Sequence, residues 1–253
     1  MKIQYCSDLH LEFPDNKKFI QRHPITVAAD ILILAGDIVP FTEIERHADF
    51  FDQLSSDFKT VYWIPGNHEY YHSDIALRQG SFCEAIRENV FLLNNTVIEI
   101  NDRRLLFSTL WSSISPVNHL TVQRSIADFH QVHYNGTLFN PDHFNSLHEG
   151  CKAFIKTALP ANGDHSRTMV VTHHVPTFLH YPPQYLKSPV NEVFAVELAD
   201  LIHDAGAAYW LYGHHHCNVP SFTVGQTALI TNQLGYVNKR EHRTYLNPAI
   251  IDL

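Results

Sequence analysis

Charged residues, closely spaced cysteines and long hydrophobic runs are all scarce in this sequence. Only 17% of its 253 residues are charged, and the formal net charge is −8. Typical soluble domains carry about 25% charged residues. The chain therefore lacks the basic excess that a broad surface for nucleic acid or anionic membrane would need. Because hydrophobic residues make up 45% of the chain, disorder of the whole chain is also excluded.

The cysteine pattern and the lack of a long apolar run bear on the compartment. No two cysteines form a C-x-x-C pair, which argues against a disulfide framework and against a zinc ribbon. No apolar run reaches the roughly 20 residues that a membrane span needs, and the first residues do not have the pattern of a secretion signal. We therefore expect a cytoplasmic protein without a membrane partner, whose free thiols are Cys6, Cys83, Cys151 and Cys217.

Histidine is the residue type that the sequence has in excess. The chain contains 19 histidines, more than its 18 lysines and arginines combined. Imidazole binds metal ions and exchanges protons near neutral pH. The composition therefore indicates a protein that handles metal ions or protons, and the order and spacing of motifs must locate the site.

Alternating apolar runs and helical patterns predict an α/β fold. Runs rich in β-branched residues predict strands at 2–7, 30–35, 60–64, 96–109, 168–172, 208–212, 221–231 and 248–252. Apolar residues at helical spacing predict helices that begin near Thr42, Ser73, Asn140 and Asn191, the last ending at Gly206. We expect one domain over residues 1–253, with a mixed sheet or two packed sheets and outer helices.

Five short polar segments each begin where an apolar run stops. They are Ser7–His10, Gly36–Asp37, Gly66–Glu69, Thr172–His174 and Gly213–His216. In open α/β sheets the loops that leave the carboxyl ends of the strands converge on the ligand site. The placement of these segments therefore predicts one shared site at the strand ends.

The spacing within the segments selects the side chains that would meet. Alternate residues of an extended segment share a face, so Asp8 would point with His10 and His214 with His216. Of the adjacent pair His173 and His174, only one is expected to reach the same centre. Glycines stand at positions 36, 66 and 213, directly before candidate ligands, which suits turns with positive φ or a close backbone approach.

The resulting ligands are two carboxylates, one amide oxygen and four imidazoles. This set is too large for one tetrahedral ion, but it suits two ions that share a carboxylate. A dinuclear centre with its ions about 3.5 to 4 Å apart can hold the attacking and leaving oxygens of a displacement at phosphorus. The candidate ligands are Asp8, His10, Asp37, Asn67, His173 or His174, His214 and His216.

The ordered segments resemble the motifs of the calcineurin-like metallophosphoesterases. Between Asp8 and His216 the chain carries D-x-H, G-D, G-N-H-E, H-x-x-P and G-H-x-H in that order. Further on, residues 231–236 are similar to an N-P-x-G-Y turn of the family, with Gln233 where proline is common. The run Ser-Asp-Leu-His-Leu-Glu-Phe at 7–13 is similar to a bacterial branch whose substrates are mostly unassigned.

This resemblance implies a two-sheet β-sandwich flanked by α-helices, with a dinuclear metal site at the carboxyl ends of the strands. It implies two divalent or mixed-valence transition-metal ions, with manganese, iron and zinc as candidates. The first ion would be held by Asp8, His10, Asp37 and His216. The second would be held by Asp37, Asn67, His173 and His214.

The resemblance also implies a catalytic residue, His68. This histidine would bind the phosphoryl group or protonate the leaving alkoxide, with a metal-bridging hydroxide as nucleophile. Many family members have aspartate at the position of Glu69, so a role for Glu69 in orienting His68 is left open. His174 is expected to line the pocket.

Residues 112–139 have little regular pattern, and long loops of this kind often form lids or binding loops. We therefore predict that they form part of the substrate mouth. Tyr70, Tyr71 and Trp111 would lie nearby, and Arg124 is a candidate phosphate clamp.

The function predicted from these observations is metal-dependent hydrolysis of a small phosphate monoester or diester. A nuclease or a cyclic-nucleotide phosphodiesterase of the same superfamily is the nearest alternative, disfavoured by the acidic charge. A non-catalytic metal-binding scaffold is a second alternative, although such proteins tend to lose ligands or the catalytic histidine. Metal storage is a third, disfavoured because the candidate ligands sit at fixed strand ends. The sequence leaves the substrate and the oligomeric state open.

Overall fold

Two six-stranded β-sheets pack face to face at the centre of the molecule. The computed structural model describes residues 1–160 and 163–253, and its strands and helices are numbered in chain order. The first sheet has the order β14-β1-β2-β3-β5-β4, with parallel pairing from β1 to β5 and antiparallel strands at both edges. Its strands are β1 (Lys2–Cys6), β2 (Ile31–Ala35), β3 (Thr60–Ile64), β4 (Phe82–Arg87), β5 (Val90–Asn94) and β14 (Ile250–Asp252).

The second sheet repeats this plan. Its order is β12-β13-β11-β10-β7-β6, again with a parallel centre and antiparallel edges. Its strands are β6 (Thr96–Ile100), β7 (Arg103–Ser108), β10 (Thr168–Thr172), β11 (Tyr209–Leu211), β12 (Phe222–Val224) and β13 (Thr227–Ile230). A separate two-stranded hairpin consists of β8 (His133–Tyr134) and β9 (Thr137–Leu138).

Seven α-helices and several 3-10 helices surround the sheets in the described residues. The α-helices are α1 (Pro14–Arg22), α2 (Ala48–Asp57), α3 (His119–Ser125), α4 (Asp128–Gln131), α5 (Pro141–Ala158), α6 (Asn191–Phe194) and α7 (Ala199–Ala205). The 3-10 helices are Phe41–His47, His68–Tyr70, Ile75–Arg78, Val237–Lys239 and Glu241–Thr244. None of the helices described is both long and apolar enough to cross a membrane.

The central strands are apolar on both faces because both faces are covered. Ile33 of β2 and Met169 of β10 point between the sheets. Their neighbours point outward, Leu32 against α2 and Val170 against α5 and α7. Continuous apolar runs are the expected pattern for parallel strands that are buried on both sides. The predicted two-sheet sandwich with outer helices is confirmed.

The helix predicted after Ser73 is wrong. This region forms the 3-10 helix Ile75–Arg78 and then β4, which pairs with β5. Phe82 and Ile86 stand four residues apart, a spacing that puts them on one face of a helix and equally on one face of a strand. In β4 the residues 82, 84 and 86 share the less exposed face, so the period is two.

Other local predictions also differ from the structure. Thr42 does not form a capping box, because a 3-10 helix over 41–47 leads into α2 without a side-chain cap. The helix predicted from Asn191 is divided into α6 and α7, although its end at Gly206 is confirmed by a left-handed C-cap. Helix α1 is absent from the prediction, and residues 112–139 contain α3, α4 and the β8–β9 hairpin. The predicted cap of α5 by Asn140 is present.

Candidate metal centre

Strands from both sheets end at the same edge of the sandwich, and the candidate ligands follow them directly. Asp8 follows β1, Asp37 follows β2 and Asn67 follows β3, all in the first sheet. His173 follows β10 and His214 follows β11 in the second sheet. The site is therefore built across the two sheets.

Tight left-handed turns, and not extended backbone, bring these side chains together. The residues with positive φ include Asp8 (57°), His10 (48°), Asp37 (55°), His214 (80°) and His216 (51°). Non-glycine residues adopt this conformation rarely, and such residues cluster at functional sites. The sequence argument paired Asp8 with His10, and His214 with His216, on the assumption of extended segments. Asp8 and His10 do meet in one cluster of donor atoms, through turns, whereas His214 and His216 belong to two different clusters that share Asp37.

The three glycines before the ligands allow close approach, as predicted. A Cβ atom on Gly36 would lie 2.4 Å from Nδ1 of His173, and one on Gly66 would lie 2.2 Å from Oδ1 of Asp37. A Cβ atom on Gly213 would lie 2.7 Å from Oδ2 of Asp8. Of the three, Gly36 also has a positive φ, of 89°. Any side chain at these positions would displace a candidate ligand.

Two overlapping clusters of donor atoms form the candidate metal centre. The first is made of Asp8, His10, Asp37 and His216, and the second of Asp37, His173 and His214. Within each cluster one donor atom per residue lies within 4.8 Å of all the others. Asp37 belongs to both clusters, and its Oδ2 is 3.7 Å from Nε2 of His10 and 3.4 Å from Nε2 of His173. A carboxylate in this position could bridge two ions.

The distances between imidazole nitrogens suit a shared ion. Nε2 of His10 is 2.9 Å from Nε2 of His216, and Nε2 of His173 is 3.0 Å from Nδ1 of His214. Two nitrogens bound about 2.1 Å from one ion and about 90° apart would be separated by about 3.0 Å. Imidazole and carboxylate ligands suit zinc, iron and related transition metals.

The opposite ring nitrogens of three of these histidines are held by oxygen atoms. Nδ1 of His10 donates to Glu12 (3.2 Å), Nδ1 of His173 to the Ala35 carbonyl (2.9 Å) and Nδ1 of His216 to Glu241 (2.8 Å). Such bonds place the proton on Nδ1 and leave the Nε2 lone pair free to bind a metal. The donor set therefore fits transition-metal ions in tautomer as well as in position.

The acidic side chains give the centre a field that favours positive charge. Although burial disfavours a charge on His173, the adjacent Asp37 raises its pKa to about 9. Burial acts in the same way on His216, and its hydrogen bonds to Asp8 and Glu241 raise its pKa to about 9. Buried carboxylates that stabilise positive charge are suited to holding cations.

Asn67 supplies a further test of whether a metal ion fits. The side chain is 4% exposed, and Oδ1 is buried with no hydrogen-bond partner in the part of the chain that the structure describes. Its Nδ2 donates to Asp128 at 2.8 Å. Buried polar atoms are normally paired, so an unpaired amide oxygen beside the Asp37 cluster is consistent with a role as a metal ligand.

His68 lies beside the centre without joining either of the two clusters that share Asp37. Its backbone N–H donates to Oδ1 of Asp37 at 2.9 Å, and its ring stacks on Tyr71 with centroids 4.2 Å apart. Nδ1 donates to Oε1 of Glu12 at 2.8 Å, which leaves Nε2 for another partner. Burial opposes a charge on His68, but Asp37 and Glu12 together raise its pKa.

Glu69 does not orient His68; it organises the backbone of the centre. Its carboxylate accepts hydrogen bonds from the N–H groups of Asp37 (2.9 Å), Ile38 (2.7 Å) and Gly66 (2.7 Å). It also accepts one from the indole of Trp63 at 3.0 Å. Burial, together with the charge of Asp37, raises the pKa of Glu69, and the hydrogen bonds from Ile38 and Gly66 act against this rise. Glu69 therefore ties the turn after β2 to the turn after β3.

Gln233, which stands where the family motif commonly has proline, also positions a ligand loop. Its Oε1 accepts a hydrogen bond from the backbone N–H of His216 at 2.7 Å. Residue 233 forms an isolated bridge with Ser7, directly before Asp8. The departure from the family pattern therefore adds a contact between the His216 loop and the Asp8 loop.

Three other predicted site residues lie outside the cavity. His174 is fully buried against Trp111 and against the candidate ligand His214, with the two imidazole centroids 4.2 Å apart, and burial holds the pKa of His174 well below the usual value. Tyr70 is also buried, and its hydroxyl donates to the Arg78 carbonyl. Arg124 is exposed at the surface, and the residues that line the site cavity do not include His174, Tyr70 or Arg124. We therefore do not retain Arg124 as a phosphate clamp.

A cavity of about 400 Å³ opens on the centre. Asp37, Asn67, His68 and His214 form its floor, and residues 125–128 form one wall, so part of the segment 112–139 does line the mouth. Residues 181–194 supply the facing wall, which is largely aromatic and aliphatic. Among the described residues that line the cavity, Lys239 is the only lysine or arginine.

Three carboxylates of the site are absent from the sequence prediction. Glu12 stands two residues after His10, and alternate residues of an extended segment share a face. The D-x-H-x-E spacing could therefore have indicated Glu12 as a site residue. Asp128 comes from a segment far from any motif, and Glu241 follows the 231–236 turn by five residues, but no motif spacing points to either residue.

Comparisons with known proteins agree with this geometry. The family model described as calcineurin-like phosphoesterase matches residues 1–218. Uncharacterized protein L509 of Acanthamoeba polyphaga mimivirus is 30% identical over an alignment of 281 positions, which covers 99% of this chain and 96% of that protein. The crystal structure of a phosphopantetheinyl hydrolase from Mycobacterium tuberculosis has a similar fold, with a TM-score of 0.69 and 16% identity over 98% of this chain and 95% of that one. The chain belongs to the calcineurin-like phosphoesterase family.

Proposed function

We propose that this protein is a metal-dependent phosphoesterase that hydrolyses a small phosphate monoester or diester. The observation that carries the proposal is the meeting of two donor clusters at Asp37, with His68 lining the same cavity. A phosphate ester in this cavity would lie against both clusters and the His68 imidazole at once. This arrangement suits displacement at phosphorus.

The ligand roles follow from the donor atoms. Asp8, His10, Asp37 and His216 would hold one ion, and Asp37, Asn67, His173 and His214 would hold the other. Bound divalent ions would supply positive charge for the phosphoryl oxygens and would lower the pKa of a coordinated water. Manganese, iron and zinc all suit this ligand set.

His68 would act on the leaving group. Its Nδ1 is held by Glu12 at 2.8 Å, so the nitrogen free to reach the substrate is Nε2. When the bond from phosphorus to the leaving oxygen breaks, that oxygen would take the Nε2 proton of the protonated imidazole, while the oxygen of water becomes bonded to phosphorus and the proton that water releases returns to Nε2. Glu12 would favour the protonated ring and hold it in the orientation that this transfer needs.

The cavity favours a small substrate over a nucleic acid. Its volume of about 400 Å³ is in the range of sites for small molecules. Nucleic-acid binding normally requires several lysines or arginines along the backbone path, whereas Lys239 is the only one among the described residues that line this cavity. A cytoplasmic location is part of the proposal and is supported by four cysteines that are all free.

The test combines elemental analysis with a substrate panel. The purified protein is loaded with manganese, iron or zinc and assayed with a nitrophenyl monoester, a bis-nitrophenyl diester, cyclic nucleotides, a dinucleotide and a phosphopantetheinyl ester. The last is included because a hydrolase of that name has a similar fold. We expect hydrolysis of at least one small ester with about two ions bound per chain.

Three variants separate the proposed roles. Asp37→Ala and His214→Ala should lose most activity and bound metal, since they remove ligands. His68→Ala should lose turnover, by about 10²-fold or more, and keep its metal. Absence of hydrolysis with every metal and substrate would favour the scaffold alternative, and loss of metal in His68→Ala would show that its role is wrongly assigned.

A further inference from the structure

Asp128, a residue outside every motif, is hydrogen-bonded to the amide of Asn67. It is the first residue of α4 and is 1% exposed. Its Oδ1 accepts hydrogen bonds from Nδ2 of Asn67 and from the hydroxyl of Tyr71, both at 2.8 Å. The segment that forms one wall of the cavity therefore reaches the candidate metal centre directly.

This contact determines which end of the Asn67 amide faces Asp128. The two ends of an asparagine amide have nearly the same shape, so packing alone distinguishes them poorly. An ionised carboxylate can only accept hydrogen bonds, and therefore the NH₂ group must face Asp128. The carbonyl oxygen is then turned away from Asp128, and it is this Oδ1 that is buried without a partner among the described residues.

We propose that Asp128 is a positioning residue of the metal centre, which fixes the Asn67 amide with Oδ1 available to a metal ion. The inference rests on the proposed function, because it takes Asn67 as a ligand. Tyr71 extends the effect to His68, since its hydroxyl is bonded to Asp128 while its ring stacks on the His68 imidazole at 4.2 Å and 29°. One carboxylate thus supports both a ligand and the proposed proton donor.

If Asp128 served only to stabilise the fold, an aspartate would be unfavourable at this buried position. Its Oδ2 is buried and lacks a hydrogen-bond partner in the part of the chain described. A buried carboxylate oxygen without a hydrogen-bond partner reduces stability, because its loss of hydration is not compensated. The presence of this unfavourable buried carboxylate is therefore better explained by its effect on the Asn67 amide than by a contribution to stability.

The test measures metal affinity directly. Metal-free parent protein and variants are titrated with Mn²⁺ by calorimetry, with circular dichroism and thermal unfolding as checks of folding. Asp128→Ala removes the acceptor and should weaken the site that uses Asn67 by about tenfold or more, leaving the other site nearly unchanged. Asp128→Asn keeps an oxygen that can accept from both Asn67 and Tyr71, and should bind Mn²⁺ almost as the parent does.

A double-mutant cycle tests whether Asp128 acts through Asn67. If it does, Asp128→Ala should cause little further loss of affinity in an Asn67→Ala background. Asp200→Ala, which changes an exposed aspartate at the start of α7, is the matched control and should leave both sites intact. The hydrolysis panel is not needed for either measurement.

Three results would overturn the proposal. They are unchanged affinities in folded Asp128→Ala, an Asp128→Asn variant as impaired as Asp128→Ala, and additive losses in the cycle. The second would show that the charge matters and the orientation does not. A parent protein that binds no Mn²⁺, Fe²⁺ or Zn²⁺ would overturn the proposed function as well, whereas unchanged affinities in Asp128→Ala of a metal-binding parent would overturn only this inference.

Discussion

Glu12 accepts a hydrogen bond from Nδ1 of His68 at 2.8 Å, although the two residues are 56 positions apart in the chain. The same oxygen lies 3.2 Å from Nδ1 of His10. Burial opposes ionisation of Glu12, but its hydrogen bonds to His10 and His68 lower its pKa to about 2. A single ionised carboxylate therefore orients one candidate metal ligand and the candidate proton donor together.

Removal of the Glu12 carboxylate should reduce turnover more than metal content. Glu12→Ala removes a carboxylate that favours the protonated His68 ring and leaves that ring free to rotate, so we expect kcat to fall by about tenfold or more. Glu12→Gln keeps one oxygen acceptor and should recover part of this loss. The measurement is kcat and KM for any substrate found, with bound metal determined on the same samples. Glu88→Ala, at an exposed glutamate, is the control, and equal kcat values in Glu12→Ala and the control would contradict the assignment.

Glu69, in contrast, should contribute mainly to stability. Its carboxylate accepts from three backbone N–H groups and from the Trp63 indole. In Glu69→Gln an NH₂ group must face at least one of these donors, so the free energy of unfolding should fall by about 1–3 kcal/mol. Urea unfolding of the metal-free protein measures this change. Glu45→Gln, at an exposed site, should be unchanged, and equal stability of the two variants would be evidence against this role for Glu69.

The different roles of Glu12 and Glu69 show which features of the site the sequence does not predict. The motifs placed Asp8, His10, Asp37, His173, His214 and His216 at one site because strand ends converge, and the structure brings these residues together. Motif spacing does not encode which way the side chain after His68 turns. Glu69 turns toward the backbone because three unpaired N–H groups of two tight turns lie within its reach.

The fold could be predicted from the sequence where the spacing of hydrophobic residues fitted a strand or a helix but not both. Apolar runs such as 31–35 predicted the central strands, because only buried parallel strands require both faces to be apolar. The region after Ser73 could not be predicted in this way, since Phe82 and Ile86 fit both periods. Asp128 lies far from every motif in the chain and Glu241 lies outside the motifs, and only tertiary packing brings these residues to Asn67 and His216.

Lys239 should contribute to substrate binding, whereas Arg124 should not. Lys239 is at the cavity rim, with its ammonium 4.5 Å from the centroid of the Tyr236 ring. An exposed charge contact is worth about 1 kcal/mol at most, so Lys239→Ala should raise KM by up to roughly fivefold with little change in kcat. Arg124→Ala, outside the cavity, should leave KM unchanged. A rise in KM for Arg124→Ala alone would restore the phosphate-clamp hypothesis.

Substitutions at two glycines should affect different properties of the protein. Gly66→Ala should weaken metal binding, whereas Gly150→Ala should increase stability. A Cβ atom on Gly66 would lie 2.2 Å from Oδ1 of Asp37 and 2.6 Å from Nε2 of His173. Gly66→Ala must therefore displace a carboxylate that belongs to both donor clusters, and we expect metal affinity to fall by about tenfold or more. Elemental analysis after gel filtration and calorimetric titration with Mn²⁺ measure this loss.

Gly150 provides the matched control because it lies within α5, where no described heavy atom outside its own helix and chain neighbours is within 4 Å of an added Cβ atom. Gly150→Ala should raise the free energy of unfolding by about 0.5–1 kcal/mol, since alanine loses less conformational entropy in a helix. It should leave metal binding unchanged. If Gly66→Ala also kept both ions, Asp37 and His173 could move apart without loss of binding, and the close approach of the two turns would not be what holds the metal centre together.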